Sequence, residues 1–400
     1  MKGKHLALVA ALVVLGLQWP VFRTAGIPLS PAWAALSSGL SIFAAAYVLS
    51  WGGELAQVDI PQSLAIAFLA LVAVLPEYAV DLYFAWRAGK DPAYVHFATA
   101  NMTGSNRLLI GVGWSAVVFA SFLKRGRGGG PRGEIRLGAH DRNEILALFL
   151  ATLYAFVIPL KGTLSWIDFL VFLTIFAFYI RRAAGSAHEE PEIDGPMETF
   201  ARWPDRRRRV VTVLFFAFSG VCILLSAKPF AESLLEAGRT LGIEQFLLVQ
   251  WLAPIASEAP EFILAILFAL KARADAGLRT LISSKVNQWT LLVGMVPIVY
   301  NLSAGHGGAM PLDARQSEEI LLTASQSFFA LAVVSNLRFS AVEALLLLAL
   351  FVSQLFISTT EARTIFAFLY IALGAGWFAV VPGSRKGLVR LFRPGSGRHS

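Results

Sequence analysis

The sequence predicts an all-α integral membrane protein built as an inverted repeat. Each half supplies five transmembrane helices and one extra helix lies at each end, about 12 spans in all. Three observations predict this. Apolar residues make up 56% of the 400 and charged residues only 15%, where a soluble domain carries roughly a quarter charged; the mean hydropathy is +0.63. Runs of spanning length with almost no charge recur, among them 6–21, 210–226 and 320–336, and their continuity excludes a β-barrel of short alternating strands. Each half also carries a proline and a glutamate inside such a run, Leu75-Pro76-Glu77 and Ala259-Pro260-Glu261, 184 residues apart. An ionisable side chain at membrane depth is costly and by default functional. Two of them in matching places point to a cation site formed by the repeat.

Taken in order, the spans fall at 5–22, 32–52, 62–87, 93–123, 144–160, 163–182, 209–228, 245–270, 277–302, 318–337, 340–357 and 362–381. The first follows Lys2 and Lys4, as a signal peptide would, but it shows no small-x-small cleavage pattern and ends on Gln18-Trp19-Pro20. It is read as a retained helix. The fourth is long and interrupted by Gly104, Gly111 and Gly113, so it is bent or broken. Trp51 to Ala56 leading to Pro76-Glu77 parallels Ala227 to Ile243 leading to Pro260-Glu261. The expected organisation is an extra helix over 1–30, a first repeat over 31–182, a linker over 183–208, a second repeat over 209–358, and a last helix with a basic tail over 359–400. Five spans per copy is odd, so the second copy enters with the opposite orientation.

The net charge of +8 is no sign of nucleic-acid binding, because the basic residues lie mostly between spans. With the N-terminus in the cytoplasm, 24 Lys and Arg fall on the cytoplasmic side and 8 outside, and only Arg107 and Lys285 remain within spans. This bias places both termini in the cytoplasm. Segments 124–142 and 183–208, the latter with His188-Glu189-Glu190 and Arg206 to Arg209, read as cytoplasmic linkers whose arginines hold topology, or as a regulatory ion- or lipid-binding element. Cys222 is the only cysteine, so a disulfide framework and a zinc cluster are excluded. The spans contain no His cluster, serine–base dyad or metalloprotease spacing, and no enzyme is expected.

Proline has no N–H and clashes with the carbonyl four residues back. Pro76 therefore frees the carbonyl of Val72, and Pro260 that of Ala256. A freed carbonyl beside a carboxylate suits a hard cation such as Ca2+ or Na+, or proton carriage. The plain alternative is a proline kink with a glutamate bonded to a neighbouring helix. Asp81 lies four residues after Glu77 and Glu258 three before Glu261, each pair on one helical face, and Ser257 adds a hydroxyl. The following helices carry Asn101, Thr103, Ser105, Asn106 and Arg107 in the first half, and Ser283, Ser284, Lys285, Asn287, Gln288 and Thr290 in the second. Such residues serve either as glue between helices or as site lining.

These paired helices resemble the two α-repeats of the cation/calcium exchanger superfamily, which includes the sodium/calcium exchangers. The resemblance rests on Pro76-Glu77 followed by Gly104-Ser105-Asn106, and on Pro260-Glu261 followed by Ser284 to Thr290. It covers about residues 32–357 and implies ten core helices and alternating access. It also implies that Glu77 and Glu261 hold the ion as metal ligands, with Ser284, Gln288 and Asn106 completing the shell. Ser284 stands 23 residues after Glu261, and Gln288 stands 27 after it, as in proton-coupled members. Asn106 matches its family counterpart once two residues are inserted near Gly89–Tyr94.

The chain departs from the family's G-T-S approach. The first copy reads Val72-Ala73-Val74 and the second Ala256-Ser257-Glu258. Loss of hydroxyls favours H+ over Na+ as counter-ion. Glu77, Asp81, Glu258 and Glu261 against Arg107 and Lys285 leave a formal charge of −2, which suits one Ca2+ or two protons. The two basic residues are either structural partners, Arg107 with Asp81 and Lys285 with Glu258, or Lys285 is a tethered cation standing in for a transported one. The expectation is therefore a secondary antiporter of a plasma (inner) membrane that exchanges Ca2+ against H+ or Na+. It needs no cofactor, and its partners are inorganic cations and the bilayer. The alternatives are a monovalent cation/H+ exchanger on the same fold and a transport-inactive sensor or scaffold.

Overall fold

A computed structural model describes residues 2–59, 75–123, 134–139, 141–184, 193, 195–357 and 359–392. The helices are α1 (Lys2–Thr24), α2 (Pro31–Asp59), α3 (Leu75–Ala88), α4 (Val95–Leu108), α5 (Ser115–Leu123), α6 (Arg142–Ala155), α7 (Val157–Lys161), α8 (Trp166–Ala184), α9 (Pro196–Ala201), α10 (Asp205–Leu241), α11 (Gln245–Leu270), α12 (Ala274–Asn287), α13 (Val293–Ala304), α14 (Ala314–Val334), α15 (Ala341–Leu355), α16 (Thr360–Val380) and α17 (Pro382–Leu391). A π-helical turn, Leu109–Trp114, joins α4 to α5, and another, Gln288–Leu292, joins α12 to α13. The expected break in the fourth span is thus a π turn, and its twin lies at the matching place in the second half.

Twelve helical segments follow one another in the predicted order. Among the described residues, eight are long and apolar enough to cross a membrane on length and composition. The other four are α3, α8, α12 with α13, and α15. Their charged residues, such as Arg181 and Arg182 in α8 and Lys285 in α12, or their short described length, keep them from standing out by hydropathy. The first half of the predicted third span, with Val72 to Val74, lies outside the described residues, as do 185–192 of the linker.

One expected boundary is corrected. The seventh span was set to end at 228, but α10 continues to Leu241, where Gly242 takes a left-handed conformation (φ +68°) and closes the helix. Beyond Lys228 the sequence turns amphipathic. Lys228–Glu232 and Glu236–Arg239 pairs lie along its polar face, so the helix persists where hydropathy lapses. Capping boxes at Asp313 and Ser340 fix the starts of α14 and α15.

Short antiparallel strands give an independent check on topology. β1 (Glu134–Arg136) pairs with β4 (Arg338–Ser340), and β2 (Thr163–Leu164) pairs with β3 (Met310–Pro311). β1 follows the fourth crossing and β4 the tenth, so both lie on one face of the membrane. β2 follows the fifth and β3 the ninth, so that ribbon lies on the other face. Exchanging the two repeats maps one ribbon onto the other, as an inverted repeat requires.

Lipid tails are as apolar as leucine, so helices in a bilayer associate through close packing and polar contacts. α2 and α10 pack along each other, α1 covers α2, and α16 covers α14. At the centre, Trp114 and Trp289 of the two π turns are fully buried. Their neighbours include Phe329 and Phe339 of the same core.

Candidate ion-binding site

Both Pro–Glu helices face the helix that follows them. Close approach is permitted by glycine. A Cβ on Gly104 of α4 would overlap the carbonyl of Gln250 on α11, and a Cβ on Gly277 of α12 would overlap the carbonyl of Ala265 on α11. α11 itself runs unbroken through Pro254 and Pro260.

Glu77 is 3% exposed and accepts a hydrogen bond from Ser105 Oγ at 2.5 Å. The same hydroxyl contacts Glu258 Oε1 of the second repeat at very short range. A serine hydroxyl has one proton and two lone pairs. The set is complete when one carboxylate accepts that proton and the other carboxyl, protonated, donates to Ser105. Glu261, half-buried, accepts from Ser284 Oγ at similarly short range. Ser284 is the serine, 23 residues after Glu261, that the family resemblance puts in the ion's shell. In the first repeat the equivalent role falls to Ser105, 28 residues after Glu77, and not to Asn106.

The other expected site residues are distributed as follows. Asp81 accepts from Asn101 Nδ2 at 2.5 Å. Ser257 turns its hydroxyl back to its own helix, on the carbonyls of Ala253 and Pro254. Gln288 opens the second π turn and is fully buried. Asp81 Oδ2, Asn101 Oδ1, Glu258 Oε2 and Gln288 Oε1 are buried without a hydrogen-bond partner among the described residues. These are hard oxygen donors of the kind Ca2+ prefers. No three acidic, His or Cys side chains among the described residues converge as a preformed metal cluster.

The two basic residues correct the expected pairs. Arg107 does not meet Asp81. It forms a very short ion pair with Glu319 of α14. Glu319 also accepts from Gln250 Nε2 at 2.9 Å and pairs with Arg363 of α16 at 2.6 Å. A carboxylate taken from water needs this many donors, since one lost partner leaves a buried charge uncompensated. Lys285 does not meet Glu258. Its ammonium donates to Asn106 Oδ1 at 2.7 Å and to the Asn106 carbonyl at 3.0 Å. Asn106 is thereby committed to the lysine, while its Nδ2 donates to the Met102 carbonyl at 2.8 Å.

Sequence reasoning missed Glu318, Glu319, Gln250 and Arg363 as parts of this interior. The two acids sit where the tenth span begins and resemble a loop boundary, and Arg363, at the start of the twelfth, resembles one as well. The available signal was Arg107 itself: a guanidinium at membrane depth requires a carboxylate, and Glu319 is one of few candidates.

Comparison with known proteins places this geometry. The sodium/calcium exchanger protein family matches residues 29–183 and 211–360, the two repeats. The crystal structure of an H+/Ca2+ exchanger, CAX, is 45% identical, with 98% of each chain covered and a TM-score of 0.92. The structure of native YfkE shares 18% identity over 92% of this chain and 99% of its own, with a TM-score of 0.59. A structure of the sodium-calcium exchanger NCX_Mj shares 15% over 87% of this chain and 100% of its own, with a TM-score of 0.54. These last two show the common fold. No curated protein matches the chain. With both repeats matched and near-complete overlap with a solved exchanger, the chain belongs to the sodium/calcium exchanger protein family.

Proposed function

We propose that the protein is a secondary active antiporter that exchanges Ca2+ against H+ by alternating access, in a plasma (inner) membrane with both termini cytoplasmic. Glu77, Glu258 and Glu261 are the carboxylates for which the ions compete. Ser105 and Ser284 orient them, and Gln288 and Asp81 supply further oxygens. Ca2+ binding requires ionised carboxylates, so it expels the protons they hold. Proton return restores the Ser105-bridged arrangement and releases Ca2+.

The observation that carries this reading is the single hydroxyl shared by Glu77 and Glu258, one acid from each repeat. It is an arrangement that stores a proton between the repeats and that a divalent ion disrupts. The sparse hydroxyls support H+ as counter-ion over Na+. The 45% identity to an H+/Ca2+ exchanger supports it as well.

The test is uptake of radiolabelled Ca2+ into proteoliposomes under an imposed pH gradient and, separately, a Na+ gradient. Uptake is expected under the pH gradient. Glu261→Gln should reduce it by at least the roughly 10–100-fold that even supporting residues of an ion site cost. Monovalent cation flux without Ca2+ flux would move the assignment to a monovalent cation/H+ exchanger. Full flux in Glu261→Gln would overturn the site.

A further inference from the structure

Lys285 lies beside the carboxylates without pairing with any of them. Its side chain is fully buried. Two bonds go to Asn106, through an amide oxygen and a backbone carbonyl, and the ring of Trp289 lies 4.7 Å from the ammonium. Among the described residues no carboxylate lies within the 4.0 Å of an ion pair. A buried ammonium satisfied by neutral oxygens and an aromatic face is unusual, because a carboxylate is the usual compensation.

The chemistry of its partners explains the choice. An amide oxygen and a backbone carbonyl are ligands for a small hard monovalent cation, as is the face of an aromatic ring for a soft one. Lysine is a compact point charge on a flexible stem and can occupy such a place. The contact also spans the repeats: Asn106 is on α4 next to Ser105, and Lys285 is on α12 next to Ser284. Each of its two ends is thus the chain neighbour of a serine that holds the carboxylates, Ser105 for Glu77 and Glu258 and Ser284 for Glu261. Arg107, the residue after Asn106, pairs with Glu319 and takes no part.

We propose that Lys285 is a resident cation that fills a monovalent-ion subsite at Asn106, so that Na+ and K+ are excluded and the carboxylates serve only H+ and the divalent ion. Lys285 is here a specificity-determining residue. The proposal rests on the antiporter reading and assigns its ion selectivity.

The experiment compares wild type, Lys285→Gln and Lys285→Met in proteoliposomes. Ca2+ uptake driven by a pH gradient is measured in choline, Na+ or K+ medium. In the wild type, exchange of choline for Na+ or K+ is expected to leave the apparent Ca2+ affinity unchanged. In the variants, Na+ or K+ should weaken it about tenfold, the discrimination expected when an occupying charge is removed from one subsite. Full H+-driven uptake by the variants with no monovalent effect would overturn the proposal. So would competition by Na+ or K+ in the wild type, which decides the matter even where the variants do not fold. Should the wild type carry no Ca2+ at all, the antiporter reading falls separately. Thermal stabilisation by Na+ or K+, present in the variants and absent in the wild type, still decides the role of Lys285.

Discussion

The two Pro–Glu helix pairs use the same backbone devices and different side-chain solutions. Each has a proline before its glutamate, a glycine on the following helix that lets that helix close on α11, and a π turn after the polar stretch. The acids then diverge. Glu77 is enclosed and shares Ser105 with Glu258 of the other repeat, whereas Glu261 is half-buried and has Ser284 to itself. The bases diverge further: Arg107 is held by a carboxylate that also holds Arg363 and Gln250, and Lys285 is held by neutral Asn106. Duplication has supplied a symmetric frame, and function lies in the asymmetry. The first pair anchors the site to α14 and α16, and the second carries the more accessible acid.

Three pairs of substitutions break or sharpen this contrast. The largest effect is expected from the glycines. Gly104→Val puts a side chain into the Gln250 carbonyl and should cost at least about 3 kcal/mol, the upper range for overpacking, with loss of a monodisperse peak on size exclusion in detergent. Gly277→Ala meets the Ala265 carbonyl less severely and should retain folded protein with a lowered melting temperature. Equal tolerance at both would show that the contact of α4 with α11 is no tighter than that of α12 with α11.

Next is the anchor. Arg363→Met leaves Glu319 with one guanidinium fewer and should cost about 3 kcal/mol, read as a drop in melting temperature. Adding Glu319→Gln strands Arg107 and should cost more again, but less than the two single losses summed, because the Arg363–Glu319 contact is lost only once. A purely additive double variant would mean that Arg363 and Glu319 are not coupled.

The smallest effects come from the hydroxyls. Ser105→Ala withdraws the bond that joins acids of both repeats and should reduce pH-driven Ca2+ uptake about tenfold. Ser284→Ala frees only Glu261 and should reduce it roughly threefold, within the net worth of an ordinary hydrogen bond. A larger loss at Ser284 would reverse the assignment of which pair stores the proton.

Much of the frame was legible in the sequence, since hydropathy and the sidedness of lysine and arginine report directly on insertion into a bilayer. The Pro–Glu pairs and the glycine-interrupted fourth span follow from local spacing, and the place of Ser284 in the site from the resemblance alone. The partners of the basic residues did not. Glu319 lies 212 positions from Arg107, and Asn106 lies 179 from Lys285; no periodicity connects residues on different repeats. Nearness in sequence favoured Asp81 and Glu258, but helix rotation turns these acids to other partners. Glu318 and Glu319 were hidden for a related reason: a polar start to a helix looks the same whether it faces water or a buried arginine.

The strand ribbons carry a last consequence. Each joins a loop of one repeat to a loop of the other, one ribbon on each side of the bilayer. The contacts of Ser105 with Glu258, Arg107 with Glu319 and Lys285 with Asn106 also cross between repeats. Cohesion therefore resides in complementary surfaces and owes little to peptide continuity between α8 and α10. Two fragments, synthesised separately and inserted with opposite orientation, are expected to find each other, and their co-purification after co-expression checks it. The molecule is a heterodimer of sister subunits written on a single chain.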